Sequence, residues 1–167
     1  DPTRHTTTAQ FLWNLRQKQF EGDKWLDYAR GLAKQKPILV ESLAPVTPNI
    51  IKGEALVGIA YIKYVKQYKG PVGYVPLDKY LTDPNYLSLS AKSAHPNAAK
   101  LYIDFACSPE GQKEIAEDRE FVMAPGIYPP IKDADKVAPR MVFMENPSEE
   151  EFKKLMTVTF REIFFAK

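Results

Sequence analysis

Tyr61 and Tyr64, three residues apart, offer the sharpest chemistry in this 167-residue chain. A phenolate is a hard anionic oxygen ligand, suited to a highly charged cation such as ferric iron once the metal has displaced the phenolic proton. The same spacing fits one face of a helix, and the chain has nine tyrosines, so simple packing stands as the alternative. His5 stands beside Thr6, Thr7 and Thr8 where a helical pattern begins. Hydroxyls, backbone amides and the helix dipole can hold an anion at such a place, and a plain capping run with an exposed imidazole is the competing reading. His95, directly before Pro96, reads as a structural or solvent-exposed ring at another helix start. Glu54 is a carboxylate within reach of the tyrosines in sequence, and it reads as a surface residue at the end of a short helix. The run Glu149 to Glu151 matches the positive end of a helix dipole.

Catalytic signatures are missing. There is no serine in a strand-to-helix nucleophile elbow, no phosphate-binding glycine loop, no dinucleotide fingerprint and no metalloprotease motif. One cysteine and two histidines are too few for a zinc site built from those ligands, and Cys107 has no partner for a disulfide within the chain.

These groups must be positioned by helices and short strands. Phe11, Leu12, Leu15 and Arg16 predict a helix from the threonine cluster to about Phe20. Asp23 caps a second one with the stripe Leu26, Ala29, Leu32 and Ala33, stopped at Lys36 before Pro37, with Trp25 packed at its first turn. Ile38 to Val40 and Ala55 to Ala60 read as buried strands. Between them Thr47 caps a short helix through Lys52, with Gly53 as its left-handed end. Tyr61 to Tyr68 reads as a helix opening on Tyr61, so that a tyrosine and Ser42 each sit at a strand-to-helix corner. Val72 to Val75 and Tyr86 to Ala91 are further strand-like stretches around the loop Pro76 to Pro84, the best hinge candidate. Pro96 opens a helix that stops at Ser108, which caps the next one. Met123 to Pro147 lacks periodicity. The last helix opens with Ser148 and Glu151 as a capping box and carries Phe152, Leu155, Met156, Phe160, Ile163 and Phe164 on one face. Short buried strands alternating with helices predict an α/β layered domain with a largely parallel sheet, which binds ligands where strand ends meet helix starts.

Composition narrows the partners. With 44% hydrophobic and 26% charged residues, the chain is an ordinary globular one, and 14 prolines punctuate many short elements. A net charge of +2 is too small for the broad positive field of a nucleic-acid binder. No run approaches the roughly 20 apolar residues of a membrane-spanning helix. The opening Asp1, Pro2, Thr3, Arg4, without an initiator Met, reads as cut from something longer.

In GEALVG (Gly53 to Gly58), in the preceding QKPILVESLAP and above all in SAHPNAAKLYIDFACSPEGQ (Ser93 to Gln112), the chain resembles the extracellular solute-binding proteins of bacterial and archaeal ABC importers. Asp1-Pro2 resembles the segment after the first strand of that family's second lobe. The resemblance implies an α/β fold of the type II periplasmic binding protein kind, with ligand held between two lobes and no catalysis. Residues 1–76 are then most of the second lobe, 77–92 hinge or crossover strands, and 93–167 a helical part returning to the first lobe, whose N-terminal strands are absent. Exposed apolar surface left by those strands leads us to expect self-association.

Within the family the chain is most similar to ferric-iron binders, with thiamine and phosphonate binders close by. Iron proteins place two adjacent tyrosines here. Tyr64 matches one, Lys63 occupies its neighbour, and Tyr61 falls where an anion-contacting residue is expected. An ammonium beside a ferric ion costs electrostatic stabilisation, so a small anionic or phosphate-bearing solute stands beside iron as the expected ligand. The implied ligand-binding residues are Thr6, Thr7, Thr8, Ser42, Tyr61 and Tyr64, with Tyr64 and Tyr61 as metal ligands. The implied partner is a membrane permease, and the implied location is periplasmic or extracellular, tethered or free. An enzyme or an interaction domain whose active residues lie in an absent N-terminal half is the alternative.

Overall fold

The computed structural model describes residues 1–18 and 22–166, with the side chains of residues 17 and 18 left aside. The chain divides into two compact units, Asp1–Tyr61 with Phe143–Lys167, and Ile62–Val142.

In the first unit, α1 (Thr6–Lys18) and α2 (Lys24–Lys34) form where the apolar spacing predicts them. The expected reach of the first helix to Phe20 lies outside the described residues. Lys36, at φ 53°, takes the left-handed conformation that ends α2 ahead of Pro37. Ala9, Leu12, Trp13 and Leu15 of α1 join Trp25 and Ala29 of α2 in the core. Short α3 (Val46–Ile51) begins two residues earlier than expected, so Thr47 lies buried inside it instead of capping it. Gly53 follows at φ +79°, the left-handed exit that its type suggested.

The second unit contains α4 (Tyr64–Gln67), α5 (Pro96–Cys107), α6 (Pro109–Glu117) and α7 (Ala134–Val137), followed by a 3-10 turn at Ala138–Arg140. Ser108 caps α6 as expected, its Oγ accepting from the Gly111 amide at 3.1 Å. Gly111 is required there, since a Cβ on it would lie 2.0 Å from the Phe105 carbonyl oxygen. Ala106, Ala116, Ile131, Ala134 and Val137 form the small core of this unit.

The final helical stretch, again in the first unit, runs through α8 (Glu149–Lys154), a π-helical turn (Leu155–Thr159) and α9 (Phe160–Phe165). Its apolar face is turned inward: Leu155 and Phe160 are buried, and the Phe160 ring meets Trp25 edge-on at 6.3 Å. Ser148 caps it through the Glu151 amide at 3.2 Å. The Glu151 side chain does not close a capping box; its carboxylate accepts instead from Trp13 Nε1 at 3.0 Å.

The strands depart most from expectation. Among the described residues the sheet is two-stranded, β1 (Tyr80–Thr82) beside β2 (Met141–Phe143), and β1 falls inside the stretch Pro76 to Pro84 that reads as loop. Ile38 to Val40, Ala55 to Ala60, Val72 to Val75 and Tyr86 to Ala91 form no ladder, and Leu56 is 94% exposed. A strand exists only through hydrogen bonds to a neighbouring strand, and these segments have none here. The helix expected over Tyr61 to Tyr68 shrinks to α4, which leaves Tyr61 outside it.

Candidate functional site

The start of α1 is organised by the residues before it. The Asp1 carbonyl accepts from the amides of Arg4 and His5, and the Asp1 carboxylate accepts from both the amide and the hydroxyl of Thr3. This turn delivers His5 to the position that caps the helix. Its Nδ1 accepts from the Thr8 amide at 3.3 Å and lies 3.0 Å from the Thr8 hydroxyl. An accepting Nδ1 places the proton of the neutral ring on Nε2. Burial, and then the positive charge of the Asp1 amine, hold the His5 pKa below its ordinary value of 6.5.

The three threonines therefore differ. Thr8 has its amide engaged by His5, Thr7 is half-buried, and Thr6 is exposed. Ser42 is half-buried in the bend after residues 38–40. Its neighbourhood is tied to the start of α1: the Asp1 nitrogen donates to the Val40 carbonyl at 2.8 Å, and Arg4 pairs with Glu41 at 3.1 Å. The first unit thus brings Ser42 and the threonine cluster onto one scaffold. Tyr61, 42% exposed, is the last residue of that stretch of the unit. Tyr64 belongs to the second unit, where it opens α4 and meets Tyr68 edge-on with ring centroids 5.5 Å apart. Lys63 is ion-paired with Glu120. Glu54 is exposed, as the surface reading has it. Among the described residues no three His, Cys, Asp or Glu side chains gather where they could hold a metal ion.

Sequence reasoning missed the polar residues on the inner face of α1. Asn14 is completely buried; its Nδ2 donates to the carbonyls of Gln10 and Glu145, both at 2.9 Å, and its Oδ1 accepts from the Glu145 amide at 2.7 Å. Gln10 Nε2 donates to Asn146 Oδ1 at 2.8 Å. Arg16 lies 3.7 Å over the Trp13 ring, near Glu151. The available signal was the i, i+4 pair Gln10 and Asn14 within an otherwise apolar stripe, because a polar pair on a buried face demands partners. Those partners, Glu145 and Asn146, sit in an aperiodic segment more than 130 positions away. Thr6, Gln10, Asn146, Pro147, Glu149 and Phe152 line an open cavity of about 360 Å³ beside the first turn of α1.

A family model for bacterial extracellular solute-binding proteins matches residues 4–113, a span that runs from the helix start just described through α5 into α6. The chain belongs to that family. Neither the curated proteins nor the solved structures provide a match. Membership in this family of extracellular solute-binding proteins carries a small-solute ligand, a transporter as partner, and a place outside the cytoplasmic membrane. It also implies the periplasmic binding protein fold; the described residues are helix-rich with a small sheet. Its members are ordinarily not enzymes. No helix among the described residues is long and apolar enough to cross a membrane.

Proposed function

We propose that this protein is the solute-capturing component of an ABC importer, and that it grips the anionic end of a small solute at the start of α1. Residues 1–76 would supply most of one lobe, 77–92 the crossover, and 93–167 the helices returning to the other lobe. Contacts from both lobes favour a closed form that the permease recognises, and the ligand shifts the population only by its differential affinity for that form. No bond is broken in this cycle. The observation that carries the reading is the family match over residues 4–113, which takes in Thr6 to Thr8, Ser42, Tyr61 and Tyr64.

An anion is favoured over ferric iron on physical grounds. Helix α1 has no acidic residue of its own in its first turn, and the nearest carboxylate across the cavity, Glu149, stands on the Thr6 side. Lys63, by contrast, occupies the position beside the tyrosine that an iron ion would need, and, ion-paired with Glu120, it supplies no anionic ligand there. The test is titration of the isotopically labelled chain with inorganic phosphate, sulfate and ferric citrate, read at the Thr6 and Thr7 amide signals and in visible absorbance. Saturable phosphate or sulfate shifts that vanish in Thr7→Val support the reading. A tyrosinate-to-iron absorbance band lost in Tyr64→Phe transfers the assignment to iron, and saturation by none of the three refutes the site.

A further inference from the structure

The cavity beside Thr6 is chemically unlike the amide end of α1. Gln10, 6% exposed, contributes to its wall. The orientation of the Gln10 amide is set by its partners, because Nε2 donates both to Asn146 Oδ1 and, at 3.4 Å, to the Glu145 carbonyl, which can only accept. Among the described residues, Gln10 Oε1 has no hydrogen-bond partner. Nor is it sealed off: among the described residues, the one side-chain nitrogen or oxygen that is both shut off from solvent and unpartnered is Arg16 Nε. A cavity-lining side chain more than nine-tenths buried thus keeps an unpartnered acceptor.

The rest of the wall has the same polarity. The exposed Glu149 carboxylate makes no ion pair among the described residues. Thr6 adds a hydroxyl oxygen, while Asn146 Oδ1 is already used by Gln10. Pro147 and Phe152 supply apolar surface. A carboxylate repels an anion and attracts a cation. A primary ammonium has three N–H donors and no acceptor, which matches three oxygens without leaving one opposed.

We propose that this cavity is a subsite for a primary alkylammonium group, which donates to Gln10 Oε1, Glu149 and Thr6 while its carbon chain lies against Phe152 and Pro147. The proposal rests on the reading that the first unit captures a solute at the start of α1, and it adds a cationic group to what that solute can carry.

The test titrates the labelled full chain with n-butylammonium chloride, 1-butanol, sodium butyrate and sodium phosphate, reading the Gln10 side-chain amide and the Phe152 ring by NMR. Saturable shifts are expected with n-butylammonium and with none of the others. Glu149→Gln, a change at an exposed residue, is expected to weaken n-butylammonium by about tenfold, since a charge-assisted hydrogen bond becomes a neutral one. Glu150→Gln, outside the cavity, is expected to leave the affinity unchanged. 1-Butanol, butyrate or phosphate saturating the same two signals overturns the proposal, as does an affinity indifferent to Glu149→Gln. If n-butylammonium leaves Gln10 and Phe152 unshifted while phosphate saturates the Thr7 amide, the subsite fails and the capture site stands. If neither saturates, both fail.

Discussion

Asn14→Ala tests whether the link between α1 and the segment 145–146 holds the first unit together. Asn14 is fully buried and takes part in three hydrogen bonds of 2.7 to 2.9 Å, two donated and one accepted. At a net value of about 1 kcal/mol for each, their loss amounts to about 3 kcal/mol. Both tryptophans, Trp13 and Trp25, lie in this unit, so their fluorescence follows it without a contribution from the other. With an m-value of about 2 kcal/mol/M, the urea midpoint should fall by about 1.5 M at unchanged slope. Asn14→Asp keeps the acceptor for the Glu145 amide, but it loses both donors and buries a carboxylate, so it should be at least as damaging as Ala. The argument also reaches the cavity, because the same segment carries Asn146, the partner of Gln10. The Gln10 side-chain signals should move in both variants. A midpoint shift under about 0.3 M for Asn14→Ala, or a stable Asn14→Asp, would refute the reasoning.

Phe160→Ala removes a completely buried ring and its edge contact with Trp25, and should cost about 3 to 5 kcal/mol and shift Trp25 emission to the red; an unshifted spectrum would deny that the last helix packs on α2. In the second unit, Ser108→Ala deletes one cap at a cost of about 1 kcal/mol. Gly111→Ala should exceed it clearly, because the new Cβ meets backbone atoms of Phe105 and Ala106 that cannot step aside; hydrogen exchange of α5 and α6 decides, and equal protection in the two variants contradicts the close approach. For His5, a folded pKa below 6.5 means that the unfolded chain binds the proton more readily. The His5 contribution to stability is therefore intact above 6.5 and lost as the pH falls below it through the lowered folded value. Urea midpoints across that window should decline more steeply in the parent than in His5→Asn, and superimposable profiles would remove His5 from its capping role.

The helices were legible because each is announced by residues that act on their own neighbours. Pro96, Ser108 with Pro109, Ser148 and the Lys36–Pro37 stop each bound a helix within a residue or so of where they direct it. Segments 38–40 and 55–60 look like strands by composition, but whether they become strands depends on what lies beside them, and that information is not local. Gly58 shows the same limit: in sequence it belongs to a strand-like run, whereas in the fold it lets the backbone approach α3, where a Cβ would lie 2.4 Å from Val46. The candidate site divides along the same line. Thr6 to Thr8 were visible because a hydroxyl run before an apolar period marks a helix start, and Ser42 because it follows an apolar run. Gln10, Asn146 and Glu149 were not visible as a group, because only the folded chain brings residues 145–149 to α1.

This division bears on how a solute would be held. A helix start presents its amides wherever the helix forms, so the proposed anion grip at α1 would be encoded by about a dozen consecutive residues and by the turn from Asp1 to His5 that caps them. A grip made at strand ends requires a sheet to fix its direction, and the run ending at Tyr61 lacks neighbouring strands among the described residues. The cavity beside Thr6 falls between these cases, since its walls come from a helix and from a distant loop that follows β2 and is held to α1 by the Asn14 hydrogen bonds. Of the contacts proposed for a solute, those at α1 would therefore be preorganised by local structure, and preorganised contacts are those that give affinity without a further ordering cost.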